Sequence, residues 1–457
     1  MDKKVNLIDG DIKKALIKLS IPLTLTAFVT MAYSFVDMIW IGRIGTNAVA
    51  AVGVAYFLAW IGQATGLITK IGMGVYAAQA YGRRDEKLTA LIMANGFIQA
   101  ISIALLYTIF VLFLRRSFIS FYHLGEVVEA MAMDYLTIIA FGFIFVFLNP
   151  VFSQVFHSIG ESSLPFTVNT LGLVLNIILD PLFIFGYGPI PALHIKGAAI
   201  ATVMAQAIVC LIFIFVIKND RGVVGKTFRS FKLVGKWQKR IFVLGLPAAM
   251  ISGANAVITI VLNKFMANFG AEPVAVYSIG SELESLSWLT TEGCQTVISS
   301  LVAQNYGAGK NKRVVKSMKE GLKLVSMIGL IATFILFFFR NQLFKIFVPN
   351  DPKTIILGSA YLTILSASQL AMAIEIGAAG IYNGLSDTRT PATISVSLNL
   401  SRIPLSLILI KFFGVFGVWM SMTITSNIKG ILSLSLLRKK VNSKLRMDIS
   451  LEDIIKA

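Results

Sequence analysis

Charge is scarce in this chain, and so are the residues of most catalytic and metal sites. Only 14% of the 457 residues are charged, against roughly 25% in soluble domains, which excludes an ordinary soluble globular protein. The two cysteines, Cys210 and Cys294, both lie in apolar runs, so a disulfide framework is excluded. The three histidines, His123, His157 and His194, stand singly near the ends of apolar runs without ligand spacing, which argues against a metal site. There is no phosphate-cradling glycine loop and no Ser/His/Asp set. A membrane-embedded enzyme would need converging groups such as paired histidines or a Ser/Lys dyad, and none is visible. No enzyme activity and no cofactor are expected.

What is abundant is apolar surface. Hydrophobic residues make up 56% of the chain and the mean hydropathy is +0.78, more than a soluble core absorbs. A bilayer crossing takes about 20 residues, and runs of that length fall near 18–42, 48–76, 88–114, 128–156, 164–187, 197–217, 241–268, 274–303, 321–339, 355–381, 391–411 and 414–437. They are too long and too uniformly apolar for barrel strands, and backbone groups in hydrocarbon must be satisfied within the segment. The expected fold is therefore an all-α integral membrane protein of twelve transmembrane helices.

Basic residues set the orientation. Five lysines precede the first run, no small-residue cleavage site interrupts it, and it reads as a retained span. Arg83, Arg84 and Lys87 follow the second run. Eight basic residues lie between Lys218 and Arg240, five between Lys310 and Lys319, and Arg438, Lys439, Lys440 and Lys444 close the chain. By the positive-inside rule these loops and both termini are cytoplasmic, in a cell inner (plasma) membrane. The net charge of +18 is then an orientation signal and a match for anionic membrane lipids. Basic residues spread among short loops do not suit a nucleic-acid partner.

The two halves of the chain repeat. Pro22, Gly45, Val49-Ala50, Ala78-Gln79, Tyr81-Gly82 and Gly96 recur, at a constant offset of 225, as Pro247, Gly270, Val274-Ala275, Ala303-Gln304, Tyr306-Gly307 and Gly321. The expected organisation is two pseudo-symmetric six-helix bundles, residues 1–217 and 241–457, joined by a hydrophilic cytoplasmic linker at 218–240. The repeat fails at one telling position: the first copy carries Asp37 where the second carries Leu262.

Polar residues inside spans are costly and mark ion or substrate paths by default. Asp37 lies eight residues before Gly45, and Asp180 seven before Tyr187; at about 1.5 Å per residue both carboxylates sit roughly 10 to 12 Å below the outer helix ends. Tyr33 is one turn from Asp37 and Asn176 one turn from Asp180, giving each acid a hydrogen-bonding neighbour on its own face. Pro181 frees a carbonyl and favours a bend. In a purely structural reading, Tyr, Asn and backbone groups would satisfy both acids. Two carboxylates in one low-dielectric pocket do not both ionise easily, and such a pair can accept a proton or hold a sodium ion.

These residues carry a family resemblance. The Pro22 start of the first span, MAYSFVDMIWIGRIG around Asp37, the Gln79–Gly82 and Gln304–Gly309 ends of spans 2 and 8, NIILDP at 176–181 and GLSDTRTP before span 11 fall in order along nearly the whole chain. It resembles the multidrug and toxic compound extrusion (MATE) transporters of the multidrug/oligosaccharidyl-lipid/polysaccharide exporter superfamily and, within them, the prokaryotic DinF-like branch. The resemblance implies export of cationic or amphipathic organic compounds by alternating access, driven by inward H+ or Na+. It implies ion coupling in the N-terminal bundle at Tyr33, Asp37, Asn176 and Asp180, with Thr202 on span 6. Many members carry a glutamate on span 7 where this chain has Asn255, which counts against a coupling site in the second bundle. Asn255, Glu284 and Glu375 are candidate cavity residues, Glu375 foremost for contacting a cation. Glu282 or Glu284 is expected to pair with Lys264 across the span 7–8 hairpin; Lys70 and Arg402 are left to partner acids. The alternative function is a lipid or lipid-linked oligosaccharide flippase of the same superfamily, which would need a cationic cavity.

Overall fold

The computed structural model describes residues 5–189, 191–349 and 351–445, without the side chains of Ser34, Phe35 and Ala271. The expected cytoplasmic lysines Lys3 and Lys4 lie outside the described residues. The described chain is almost entirely helical: α1 (Ile12–Ile44), α2 (Thr46–Gly82), α3 (Glu86–Ser120), α4 (Glu126–Ser158), α5 (Ser163–Phe185), α6 (His194–Asn219), α7 (Gly235–Ala267), α8 (Ala271–Gly307), α9 (Asn311–Phe338), α10 (Arg340–Phe347), α11 (Pro352–Ser366), α12 (Gln369–Gly384), α13 (Arg389–Phe413) and α14 (Val415–Leu445). A single 3₁₀ turn, Phe228–Ser230, interrupts the connection between α6 and α7.

Among the described residues nine helices are long and apolar enough to cross a bilayer, or ten if the bent pair α11 and α12 is one span. α8 and α14 cover the other two expected spans. Their hydropathy is diluted by Glu272, Glu282, Glu284 and Glu292 in α8 and by Lys429 and the basic end of α14. One expected span is not continuous: 355–381 is broken between α11 and α12, with a bend of 47°. Side chains of other helices catch carbonyls freed at this break. Thr333 Oγ1 donates to Ser366 O at 3.1 Å and Thr423 Oγ1 to Ile364 O at 3.0 Å, which is how irregular backbone survives at membrane depth.

The duplication is visible in the backbone. α2 and α8 each run for 37 residues at the 225 offset. Each follows a left-handed glycine, Gly45 at φ 137° and Gly270 at φ 111°, where a side chain would be strained. Across the break the repeat still holds, since the 33-residue α4 corresponds to α11 and α12 together.

The chain divides into two compact units. The first comprises Val5 and Ile21–Ala249; the second comprises Asn6–Ser20 and Met250 onward. The division thus falls inside α1 and α7, and the segment 218–240 lies within the first unit. In the first unit the core is aromatic: Phe143 and Phe147 surround Tyr107, whose hydroxyl donates to Leu58 O at 2.5 Å. In the second, Trp419, Tyr361 and Phe344 are buried together. Phe113 and Phe215 lie 84% and 68% exposed on α3 and α6, an apolar surface that suits lipid and not water. The N-terminal segment is tied within the second unit. Arg313 Nη2 donates to Gly10 O at 2.8 Å and Asn305 Nδ2 to Leu7 O at 3.0 Å, and Lys310 pairs with Asp9.

Candidate functional site

The two span-embedded acids of the first unit come together. Asp180, on α5, is fully buried, as is Asn176 one turn before it, and Asn176 Nδ2 donates to Asp180 Oδ1 at 3.2 Å. Asp37, on α1, is half-buried, and its charge and that of Asp180 are within electrostatic reach of each other. The edge-on packing of Trp40 against Phe185, with ring centroids 6.1 Å apart, fixes their common level. Asp37 is three residues before that contact on α1, Asp180 five residues before it on α5. The Tyr33 hydroxyl, in electrostatic reach of Asp37, donates to Thr202 Oγ1 of α6 at 3.3 Å. All five expected coupling residues therefore belong to one unit, on α1, α5 and α6.

This pocket is short of partners. Neither acid forms an ion pair among the described residues, and Asp37 Oδ1, Asp180 Oδ2 and Asn176 Oδ1 are all buried without a hydrogen-bond partner. Leaving one such atom unpaired costs about 1–3 kcal/mol, more when it is charged. Oxygens with spare lone pairs have the chemistry to accept a proton, at the carboxylates, or to ligate a hard cation. Among the described residues no group of three or more His, Cys, Asp or Glu could hold a metal ion.

The candidate residues of the second unit are differently placed, because its acids already have partners. Glu375 on α12 accepts from Ser395 Oγ at 2.5 Å and pairs with Lys429 Nζ of α14 at 2.8 Å, both side chains about nine-tenths buried. Glu284 on α8 accepts from Gln369 Nε2 at 2.9 Å. Its expected partner, Lys264, is exposed and forms no ion pair among the described residues, and Glu282 is exposed too. Asn255 Oδ1 accepts from Asn399 Nδ2 at 2.5 Å. Lys70, half-buried on α2, forms no ion pair among the described residues and lies in electrostatic reach of His157.

A family profile described as MatE matches residues 22–182 and 247–408. The chain belongs to the MatE family. The two matched stretches are the two copies of the repeat, so both halves of this MatE protein contribute to the assignment. MatE members are transporters and not enzymes, which makes the chain a multi-pass membrane transporter. It is 27% identical to the "Probable multidrug resistance protein NorM" of Thermotoga maritima over 90% of this chain and 89% of that protein. It is 26% identical to an "FAD transporter" of Shewanella oneidensis over 94% and 95%, and 22% identical to the "Multidrug export protein MepA" of Staphylococcus aureus over 91% of each. The fold is that of a MATE crystallised in complex with MaL6, with a TM-score of 0.88 over 98% of this chain and 100% of that one at 22% identity. It is also that of an outward-facing multidrug resistance MATE transporter of the MOP superfamily, with a TM-score of 0.89 over 98% and 100% at 22% identity.

Two residues of this MatE chain escape a reading of the sequence. Tyr135 on α4 is buried with Asp37, Tyr33, Asp180 and Tyr56 in electrostatic reach; nothing marks it among the twelve tyrosines of the chain. Lys429 precedes the basic run at Arg438 by nine residues, and reads as an outlier of the same cytoplasmic charge. At about 1.5 Å per residue it lies some 13 Å deeper.

Proposed function

We propose that this transporter is a multidrug efflux antiporter of the inner membrane, exporting cationic or amphipathic organic compounds in exchange for inward H+ or Na+. The DinF-like branch is the fitting place for it, since the coupling residues of that resemblance all fall in the first unit. The observation that carries the reading is the pair Asp37 and Asp180, two span-embedded carboxylates in electrostatic reach of each other with unpartnered oxygens and, among the described residues, no ion pair. The names of the NorM and MepA relatives support drugs as cargo.

A proton or sodium ion arriving from outside is held between Asp37 and Asp180, with Asn176 fixing the second acid and Tyr33 and Thr202 closing the α1–α6 side. Neutralising the pocket removes the repulsion between the acids and lets the proline-containing helices α1 and α5 repack. That repacking releases substrate outward, and release of the ion inward restores the charge. Both termini are cytoplasmic, and the basic loops face anionic lipid headgroups. The FAD transporter relative favours a second reading in which an anionic compound is also carried.

The test is ethidium movement into or out of vesicles holding the purified protein, under an imposed pH gradient and, separately, an imposed sodium gradient. Gradient-dependent accumulation under at least one of the two is expected. Equal movement with and without both gradients rejects coupled antiport.

A further inference from the structure

The repeat places a cation in the second unit where the first has its coupling amide. α5 begins at Ser163 and α13 at Arg389, an offset of 226, and Pro165 and Pro391 keep it. So do the left-handed residues Gly160 at φ 83° and Ser386 at φ 60°. The turns around them share their bonds: Glu161 N donates to Phe156 O at 3.0 Å, and Asp387 N to Tyr382 O at 2.9 Å. In this register Asn176 corresponds to Arg402 and Asp180 to Ser406. With Leu262 already in place of Asp37, the second copy has lost both acids of the pocket and gained a guanidinium.

Arg402 sits halfway along α13 and is half-buried. Its Nε donates to Thr425 Oγ1 at 2.9 Å and its Nη2 to Ser426 Oγ at 3.0 Å. Both partners are neutral, and Arg402 forms no ion pair among the described residues. The nearby acids are otherwise engaged, Glu375 by Lys429 and Ser395, Glu284 by the Gln369 amide. Lys429, one turn along α14 from the partners of Arg402, is in direct contact with an acid. Arg402 is not accommodated in that way. Tyr361, fully buried with its hydroxyl unpartnered, and Tyr277 lie in electrostatic reach of both Arg402 and Glu284. Arg402 thus lies among two acids and a second cation: Glu375, already paired with Lys429, and Glu284, which has no cation in contact with it, with the spare phenol of Tyr361 in reach of Arg402 and Glu284.

We propose that Arg402 is a specificity group of the second unit: it binds the oxyanion, carboxylate or phosphate, of an exported amphipathic compound whose cationic centre faces Glu284. A guanidinium fork offers paired donors that match either oxyanion. A zwitterion inserted between the two charges leaves the net charge of the cluster unchanged. The inference rests on the export reading, because it makes the second unit part of the substrate path.

Binding is measured on the purified full-length protein with two matched pairs of probes, norfloxacin against its ethyl ester, and thiamine monophosphate against thiamine. Each ester or parent keeps the ring system and lacks the oxyanion. In at least one pair the oxyanion form is expected to bind about tenfold or more tightly, and which pair shows it tells carboxylate from phosphate. In Arg402→Gln that preference falls to about one, and Arg402→Lys keeps part of it by retaining the charge without the fork. Equal binding within both pairs by the unsubstituted protein overturns the proposal, as does a preference that survives in Arg402→Gln. If Arg402→Gln does not fold, Arg402→Lys decides: a preference there as large as in the unsubstituted protein overturns the proposal. Vesicle transport of ethidium, which has no oxyanion, is followed in parallel: its failure alongside a persisting oxyanion preference rejects the export reading and leaves the role of Arg402 standing.

Discussion

Replacing Asp37 by asparagine keeps the shape of the side chain and removes its capacity to be charged. The fold should not notice. Asp37 is half-buried, forms no ion pair among the described residues, and its Oδ1 has no hydrogen bond to lose. Thermal stability in detergent is therefore expected to stay within about 0.5 kcal/mol of the parent. Transport should change far more. When two coupling ions, one per acid, enter for each ethidium that leaves, one net elementary charge crosses the membrane, worth about 2.3 kcal/mol at 100 mV, a bias of nearly fiftyfold in the steady distribution of ethidium. With one of two coupling charges gone, uptake and release of the ion no longer track substrate movement, and the accumulation ratio should fall from tens to about one. The assay is ethidium accumulation in vesicles at an imposed potential of about 100 mV, with pH and sodium gradients applied in turn. A correctly folded Asp37→Asn protein that accumulates ethidium as the parent does would refute the reasoning.

The remaining expectations concern graded effects. Asp180→Asn should be as damaging to gradient-driven transport as Asp37→Asn, whereas Asn176→Ala and Tyr33→Phe each lose one hydrogen bond of about 1 kcal/mol and should slow it roughly fivefold; normal transport by Asp180→Asn beside a dead Asn176→Ala would reverse the roles. Lys429→Met leaves Glu375 buried without its cation and should lower stability by about 3–5 kcal/mol, read as a thermal shift in detergent, and adding Glu375→Gln to it should restore most of the loss. Glu284→Gln should alter substrate preference in vesicles while leaving gradient-driven transport measurable, and complete uncoupling by this change would move the ion site to the second unit. Arg313→Ala should raise amide exchange in residues 6–11, whose carbonyls at Leu7 and Gly10 it holds; unchanged exchange there would remove the tether from the account.

Much of the architecture is written in runs of apolar residues, because a segment without water must satisfy its own backbone and so must be a long helix. The repeat was legible for the same reason: Pro22, Gly45 and their partners mark helix starts and bends that tolerate few alternatives. The break between α11 and α12 was not legible. Its freed carbonyls are caught by Thr333 and Thr423, residues far off in sequence whose side chains read locally as ordinary span threonines. Asp37 and Asp180 stood out because an acid in an apolar run has few bland explanations. Lys429 and Tyr135 did not, the first because a lysine near a basic helix end looks interfacial, the second because tyrosine is at home in any membrane helix. The pairing of Glu284 with Gln369 in place of Lys264 follows from packing of α8 on α12, which hairpin proximity in sequence cannot reveal.

The places where the chain passes from one compact unit to the other bear on ancestry. The division falls at residue 20 in α1 and at residue 249 in α7, so each copy of the repeat begins its first helix in the unit of the other copy. Reciprocal exchange of a leading arm is what the fusion of two swapped protomers leaves behind. By this division neither half, expressed by itself, should complete a folding unit: the first carries leading turns that belong with the second unit, and the second would lack those turns. A gene split within the loop between α6 and α7 should still yield transporter when both pieces are made in one cell, whereas either piece alone should be degraded.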